Sequence, residues 1–293
     1  MSGGVAVRAN LLCVTWSAAL GHVFLYDVEA RQRVSAWTLP PCEKGFSDAA
    51  GVAMDEHFHL FVADPHNERV RHFSVFGRHL GDLGRSAPGS GDAGRDRPGV
   101  LDRPHAVAVR GDTVFVASGD QPRRHAVQRF RRSGQVATAL YSCGDVEQRF
   151  AAPRALWVDA AGILVADTLR GRVQRFRGDG TFVAAVSCGD DERLARPVAV
   201  VRRVDGSMIV VDRGDEPGVA LFAADGRRRV VPADLVQRCE HVIAMTADER
   251  GRLYVLDRHG ERVLRFRADL GFDQVIVDLA EHAFDYEPGG GDA

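Results

Sequence analysis

The 293-residue sequence predicts an all-β fold, a single six-bladed β-propeller with four antiparallel strands in each blade. Three observations carry this expectation. One plan of short apolar runs recurs six times, its period matches that of propeller blades, and no segment sustains helical periodicity.

The plan is an apolar strand, a tight turn and a second apolar strand usually ending in Asp. A polar loop, a strand of V-x-x-F type, another turn and a last strand follow. The first unit is degenerate but complete, with VAVRA, LLCVTW, HVFLYDV and RVSAWTL. The second reads GVAMD, HLFVAD, RVRHF and HLGDL; the third has HAVAV, TVFVAS and AVQRF; the fourth has RALWVD, ILVAD and RVQRF. The fifth has VAVV, MIVVD and VALF, and the sixth has HVIAM, LYVLD, RVLRF and FDQVIVDL. The aligned positions Ala50, His105, Arg154, Val198 and His241 are spaced by 55, 49, 44 and 43 residues, against about 40 to 50 for propeller blades. Blades are expected near 4–40, 48–84, 103–141, 152–187, 196–232 and 239–280, followed by a flexible tail over 281–293. Because the sixth unit supplies its own fourth strand, the ring is expected to close by packing of blade one against blade six.

Local chemistry agrees. The runs are rich in Val, Phe, Ile and Leu and are bounded by Ser133-Gly134, Asp179-Gly180 and Asp225-Gly226, pairs that favour the positive φ of hairpin turns. Strands apolar on both faces suit a blade sandwiched between two neighbours.

Composition narrows the function classes. A net charge of -2 gives no global attraction to polyanions. All basic residues except Lys44 are arginine, a bias that fits a GC-rich coding genome. There is no run of eighteen apolar residues and no basic region ahead of an apolar one at the start, so a cytoplasmic protein without a membrane span is expected. The five cysteines, Cys13, Cys42, Cys143, Cys188 and Cys239, are odd in number and form no C-x-x-C pair, which argues for reduced thiols.

The phrases VADPHNERVRHF (62–73) and VADTLRGRVQRF (165–176) resemble the core of the NHL repeat. PGSGDAGRDRPGVLDRPHAVAV (88–109) resembles the glycine-rich connector of that family. The resemblance implies the six-bladed fold but leaves function open, since such propellers include protein scaffolds, RNA-binding modules and metal-dependent lyases and lactonases.

Candidate residues sort by whether they repeat. Asp64, Asp167, Asp212 and Asp257, with Arg69, Arg172 and Arg262 five residues beyond three of them, recur from blade to blade. That assigns them to the scaffold, as caps of loop amides and ion pairs. His72, Arg129, Arg175 and Arg265 replace an apolar position of the third strand. They form either a basic belt or side chains that reach the blade edge and the acids of the next blade.

The start of each innermost strand faces the channel. There Val5, Ala50, His105, Arg154, Val198 and His241 differ between blades, as a site on a symmetric scaffold requires. Two readings stay open. His105 and His241, with Glu240 nearby, would hold a divalent metal, as channel histidines do in amidating lyases of similar fold. Alternatively His105, Arg154 and His241 would hold an anion or small-molecule ligand. In the 85–102 connector, Asp92, Asp96 and Asp102 mark a candidate partner-binding loop. Arg123-Arg124, Arg202-Arg203 and Arg227-Arg228-Arg229 are local basic clusters with few aromatics nearby, which disfavours RNA.

With no nucleophile and base pair, no complete ligand set and no phosphate loop, the leading expectation is a non-catalytic scaffold. It would bind a protein partner, within a larger assembly, and need no cofactor. The alternative is a metal-dependent lyase or lactone hydrolase acting at the channel mouth, with an RNA-binding module third.

Overall fold

The computed structural model describes residues 2–17, 21–41, 46–87, 96–141, 149–186, 194–214, 217–239, 241–259 and 261–279. These form six four-stranded antiparallel sheets, each ordered as in the chain, arranged as a six-bladed β-propeller. Blade one comprises Ser2–Arg8, Leu11–Ser17, Gly21–Asp27 and Gln32–Thr38; blade two, Val52–Met54, Leu60–Asp64, Arg69–Phe73 and His79–Leu83. Blade three has Pro104–Arg110, Thr113–Ser118, Val127–Arg131 and Val136–Leu140; blade four, Pro153–Asp159, Gly162–Asp167, Arg172–Phe176 and Phe182–Val186. Blade five has Pro197–Arg202, Met208–Asp212, Gly218–Phe222 and the short Arg228–Arg229; blade six, Val242–Ala247, Leu253–Asp257, Arg262–Phe266 and Phe272–Asp278. A two-stranded pair, Pro122–Arg123 with Phe150–Ala151, ties blade three to the linker beyond it. No helix is long and apolar enough to cross a membrane among the described residues.

The core lies between blades rather than within one. Six buried clusters occupy the six interfaces, because alternate side chains of a strand face opposite neighbours. Leu60 and Val62 pack toward blade one while Phe61 packs toward blade three. Leu253 and Val255 pack toward blade five, and Tyr254 and Leu256 toward blade one. This last cluster closes the ring. Val5, Leu12, Val14 and Phe24 meet Tyr254, Leu256 and Val263 without exchange of a strand, and Glu29 receives Arg250 at 3.2 Å and Arg252 at 2.8 Å.

The recurring acids hold the linkers. Asp64 accepts the amides of Asp48 at 3.1 Å and Asn67 at 3.2 Å; Asp167 accepts Ala151 N at 2.7 Å; Asp212 accepts Ala195 N at 2.7 Å. Each carboxylate thereby fastens the chain entering a blade to that blade's second strand. Arg172 and Arg262 pair with Asp167 and Asp257, both at 3.1 Å, but Arg69 pairs with Asp82 at 3.0 Å.

Two described elements escape the strand pattern: a single 3-10 turn, Thr168–Arg170, and the six-residue helix Ala233–Arg238, which buries Leu235 in the blade five–six core and sets Arg238 over the Phe272 ring. Cys13 and Cys239 are buried free thiols. Cys42, Cys143, Cys188, Asp92, Glu240 and the tail 281–293 lie outside the described residues.

Candidate functional site at the channel mouth

All six innermost strands run the same way along the axis, so their first residues gather at one mouth. They enclose a channel cavity of about 250 Å³. Val5, His105, Arg154 and Val198 line it, as expected of the ring positions. Ala50 is buried instead, its carbonyl taken by Thr15 Oγ1 at 2.5 Å. Blades one to three crowd closely here. Gly51 N donates to His105 O at 3.0 Å, and a Cβ on Gly51 would lie 2.5 Å from that oxygen. Glycine is therefore what lets blade two approach and fix the His105 backbone.

The side chains that converge are His105, Arg154, Arg103 and Asp120. Asp120 was not foreseen. Blade three breaks the repeat at this point, because Ser118 stands where blades two, four, five and six carry their loop acid, and the acid appears two residues later, beyond Gly119 at φ 92°. Displaced from its scaffold position, the Asp120 carboxylate accepts Arg154 Nη2 and Arg103 Nη2 and lies 3.1 Å from His105 Nε2. The His105 contact and the two guanidiniums hold its pKa at about 2.

Arg154 Nη1 also lies 2.5 Å from His105 Nε2. Arginine only donates and a carboxylate only accepts, so Nε2 either accepts from Arg154 with the ring proton on Nδ1 or donates to Asp120 with the proton on Nε2. Burial pushes the His105 pKa down, in keeping with a neutral ring. Arg103 bends with φ 49°, and Ala152, its counterpart one blade on, with φ 51°. The repeated bend belongs to the linker, and blade three uses it to swing a guanidinium over the mouth.

His241 does not join this group. Its ring packs against His259 at 5.1 Å, and it is not among the described lining residues of the channel. The anticipated trio of His105, Arg154 and His241 is thus replaced by His105, Arg154, Arg103 and Asp120. A metal held by His105 and His241 does not fit these residues. Arg154 Nη1 stands 2.5 Å from His105 Nε2, and among the described residues no three His, Cys, Asp or Glu side chains converge as ligands.

His241 instead marks a second cationic group on the same face. There Arg213, whose guanidinium pKa is lowered by burial and by Arg258 beside it, donates to Val242 O at 2.5 Å. In the connector, Asp96 accepts His125 N at 2.9 Å and His125 Nδ1 at 3.0 Å, while Asp102 pairs with Arg123 at 3.0 Å. Both acids pin the connector to blade three rather than project to a partner.

No family model matches the sequence, and no curated protein matches it significantly. The fold does have counterparts. The chain is similar to a protein of unknown function from Bacteroides caccae, with TM-score 0.64 and 13% identity over 91% of this chain and 93% of that one. A chain of the nidogen/laminin complex gives TM-score 0.65 and 16% identity over 90% and 92%. A streptogramin B lyase gives 0.61 and 10% over 94% and 84%. At these identities the comparisons carry the six-bladed fold alone, and the NHL resemblance of the core phrases gains no family match.

Proposed function

We propose that the chain is a non-catalytic binding propeller that takes an acidic segment of a protein partner at the channel mouth. The carrying observation is that the two guanidiniums of Arg103 and Arg154 share a single carboxylate, Asp120. Each guanidinium has five N–H donors, so most lack a charged acceptor. The group keeps an excess positive charge, with Arg103 more than half exposed. Arg213 and Arg258 extend that potential across the face and would fix register and speed encounter with an acidic chain.

The same chemistry weighs against catalysis at this spot. A carboxyl held at about 2 is a poor general base near neutral pH, and His105 Nε2 is already engaged by Arg154 and Asp120. Propellers of similar shape occur in the nidogen/laminin complex and in a lyase, so the choice rests on the mouth.

Fluorescence anisotropy with a labelled Glu-rich peptide tests the proposal. Binding should weaken with salt and fall roughly tenfold in Arg154→Met, the loss of about 1.4 kcal/mol from one charge-assisted contact. An unchanged affinity in that variant would refute it.

A further inference from the structure

The residue before the terminal Phe of the third strand is Arg129 in blade three and Arg175 in blade four. Each precedes the same register shift against the outer strand. Arg129 Nη1 donates to Asp179 O at 2.9 Å and Arg175 Nη1 to Ala224 O at 3.0 Å. Both acceptors belong to the turn before the outer strand of the next blade, so a guanidinium stitches the three–four and four–five interfaces, whereas Arg265 pairs with Asp273 of its own blade.

Blade two carries His72 at this position, with the same register shift. Its ring lies flat on Phe61, 4.4 Å between centroids, and stops short of the matching turn of blade three, Arg131–Gln135. The missing guanidinium leaves a pocket of about 390 Å³ bordered by His72, Gly81, Asp82, Asp112, Arg132 and Ser133. The space over Gly81 is open, with nothing within 4 Å of a Cβ built there.

His72 is only 8% exposed, and its Nε2 is buried without a partner. Burial, with His59 and Arg132 nearby, pushes its pKa to about 4, so the ring is neutral at pH 7 and adds no charge that would repel a guanidinium. The charged groups around the slot are otherwise engaged. Arg132 turns to Asp55 at 2.9 Å and Glu56 at 2.7 Å, Asp82 holds Arg69 at 3.0 Å and His79 at 2.8 Å, and Asp112 meets Arg131 at 3.5 Å. What remains unfilled is the space that a guanidinium occupies at the next two interfaces.

We propose that this slot receives an arginine side chain of a protein partner, whose guanidinium donates to the carbonyls of the blade-three turn beside His72. It would complete between blades two and three the stitch that Arg129 and Arg175 make within the chain. Arginine fits better than lysine because its flat, weakly hydrated fork lies along a ring and reaches two acceptors at once.

The test is a TROSY NMR titration of the full chain with N-acetyl-arginine methylamide. Saturable shifts at Gly81, Ser133 and Gly134 are expected, with a dissociation constant on the order of 10 mM. N-acetyl-lysine methylamide should bind roughly fivefold more weakly. His72→Arg, which supplies the chain's own guanidinium, should abolish the shifts. Arg129→His should open a matching slot and add shifts at Asp179 and Gly180, which keeps the idea testable if His72→Arg does not fold. The proposal is overturned by equal binding to His72→Arg, by lysine matching arginine, by shifts confined to another surface, or by no saturable shift.

Discussion

Asp120→Asn separates a binding site from a merely structural ion cluster, because it moves stability and ligand affinity in opposite directions. Asp120 is held at about 2 against an ordinary carboxyl value of 3.8. Uncorrected, that difference corresponds to about 2 kcal/mol of folding stability. The guanidiniums reach solvent, Arg154 with a third of its side chain and Arg103 with more than half, so screening leaves about 1 kcal/mol. Urea unfolding at pH 7 should show that loss, together with a drop of about 2 °C in Tm.

The sign with pH follows from the folded carboxyl lying below its unfolded value. The contribution is complete above about pH 4 and fades as pH falls toward 2, so wild type and variant should converge in acid. Binding should move the other way. Removing Asp120 raises the net charge of the Arg103–Arg154–Asp120 group from +1 to +2, and at ~4 Å in a water-like medium one further unit charge contributes about 1 kcal/mol. The Glu-rich peptide should bind roughly fivefold tighter at low salt, with the gain shrinking as salt rises. Unchanged or weaker binding in Asp120→Asn would refute the view that this carboxylate stands in for the partner's.

Gly51→Ala should cost about 2–3 kcal/mol in urea unfolding, since its Cβ would fall 2.5 Å from the His105 carbonyl. Thr15→Val, which strips the donor from a buried carbonyl of Ala50, should cost about 1 kcal/mol in the same assay. Because burial lowers the His105 pKa, protonation on acidification from about pH 6.5 favours the unfolded chain; a pH titration of stability should therefore be shallower in His105→Gln. With Cys42, Cys143 and Cys188 changed to Ser, a thiol reagent should find no reactive group until the protein unfolds. Burial raises the Cys13 thiol and pushes Cys239 up to about 12.

The architecture was legible because each strand carries its interface twice over. In Leu253–Asp257 the alternation of Leu253 and Val255 with Tyr254 and Leu256 names both neighbours, so a sixth unit with four strands of its own already implies closure by packing. The helix Ala233–Arg238 was missed although Pro232 ahead of Ala-Asp is a start signal. Only Leu235 of its residues is buried, too little for a periodic pattern to stand out. At the mouth, alignment put His105 and Arg154 on the channel lining, because position along an inner strand decides what faces the axis. It failed for His241, whose ring turned to His259. Asp120 had a signal too: the only one of units two to six whose second strand lacks a terminal Asp carries one two residues on.

Symmetry explains why the departures gather where they do. A ring of near-repeats supplies the same interface at every junction, so a residue needed once can appear only where a blade departs from the plan. Three departures meet between blades two and three. His72 replaces the stitching arginine, Ser118 replaces the loop acid, and the spacing from Ala50 to His105 is 55 residues against 43 between the last pair. The added chain does not loosen the junction, because Asp96 and Asp102 clamp it to His125 and Arg123 and bring Arg103 over the mouth. On that same face lies a further pocket of about 450 Å³, bordered by Glu68, Arg103, Asp120 and Arg123. A partner that lays an acidic segment on the mouth and hooks an arginine into the His72 slot would therefore hold blade three at both of its junctions, and loss of binding on changing both Arg154 and His72 should exceed that of either alone.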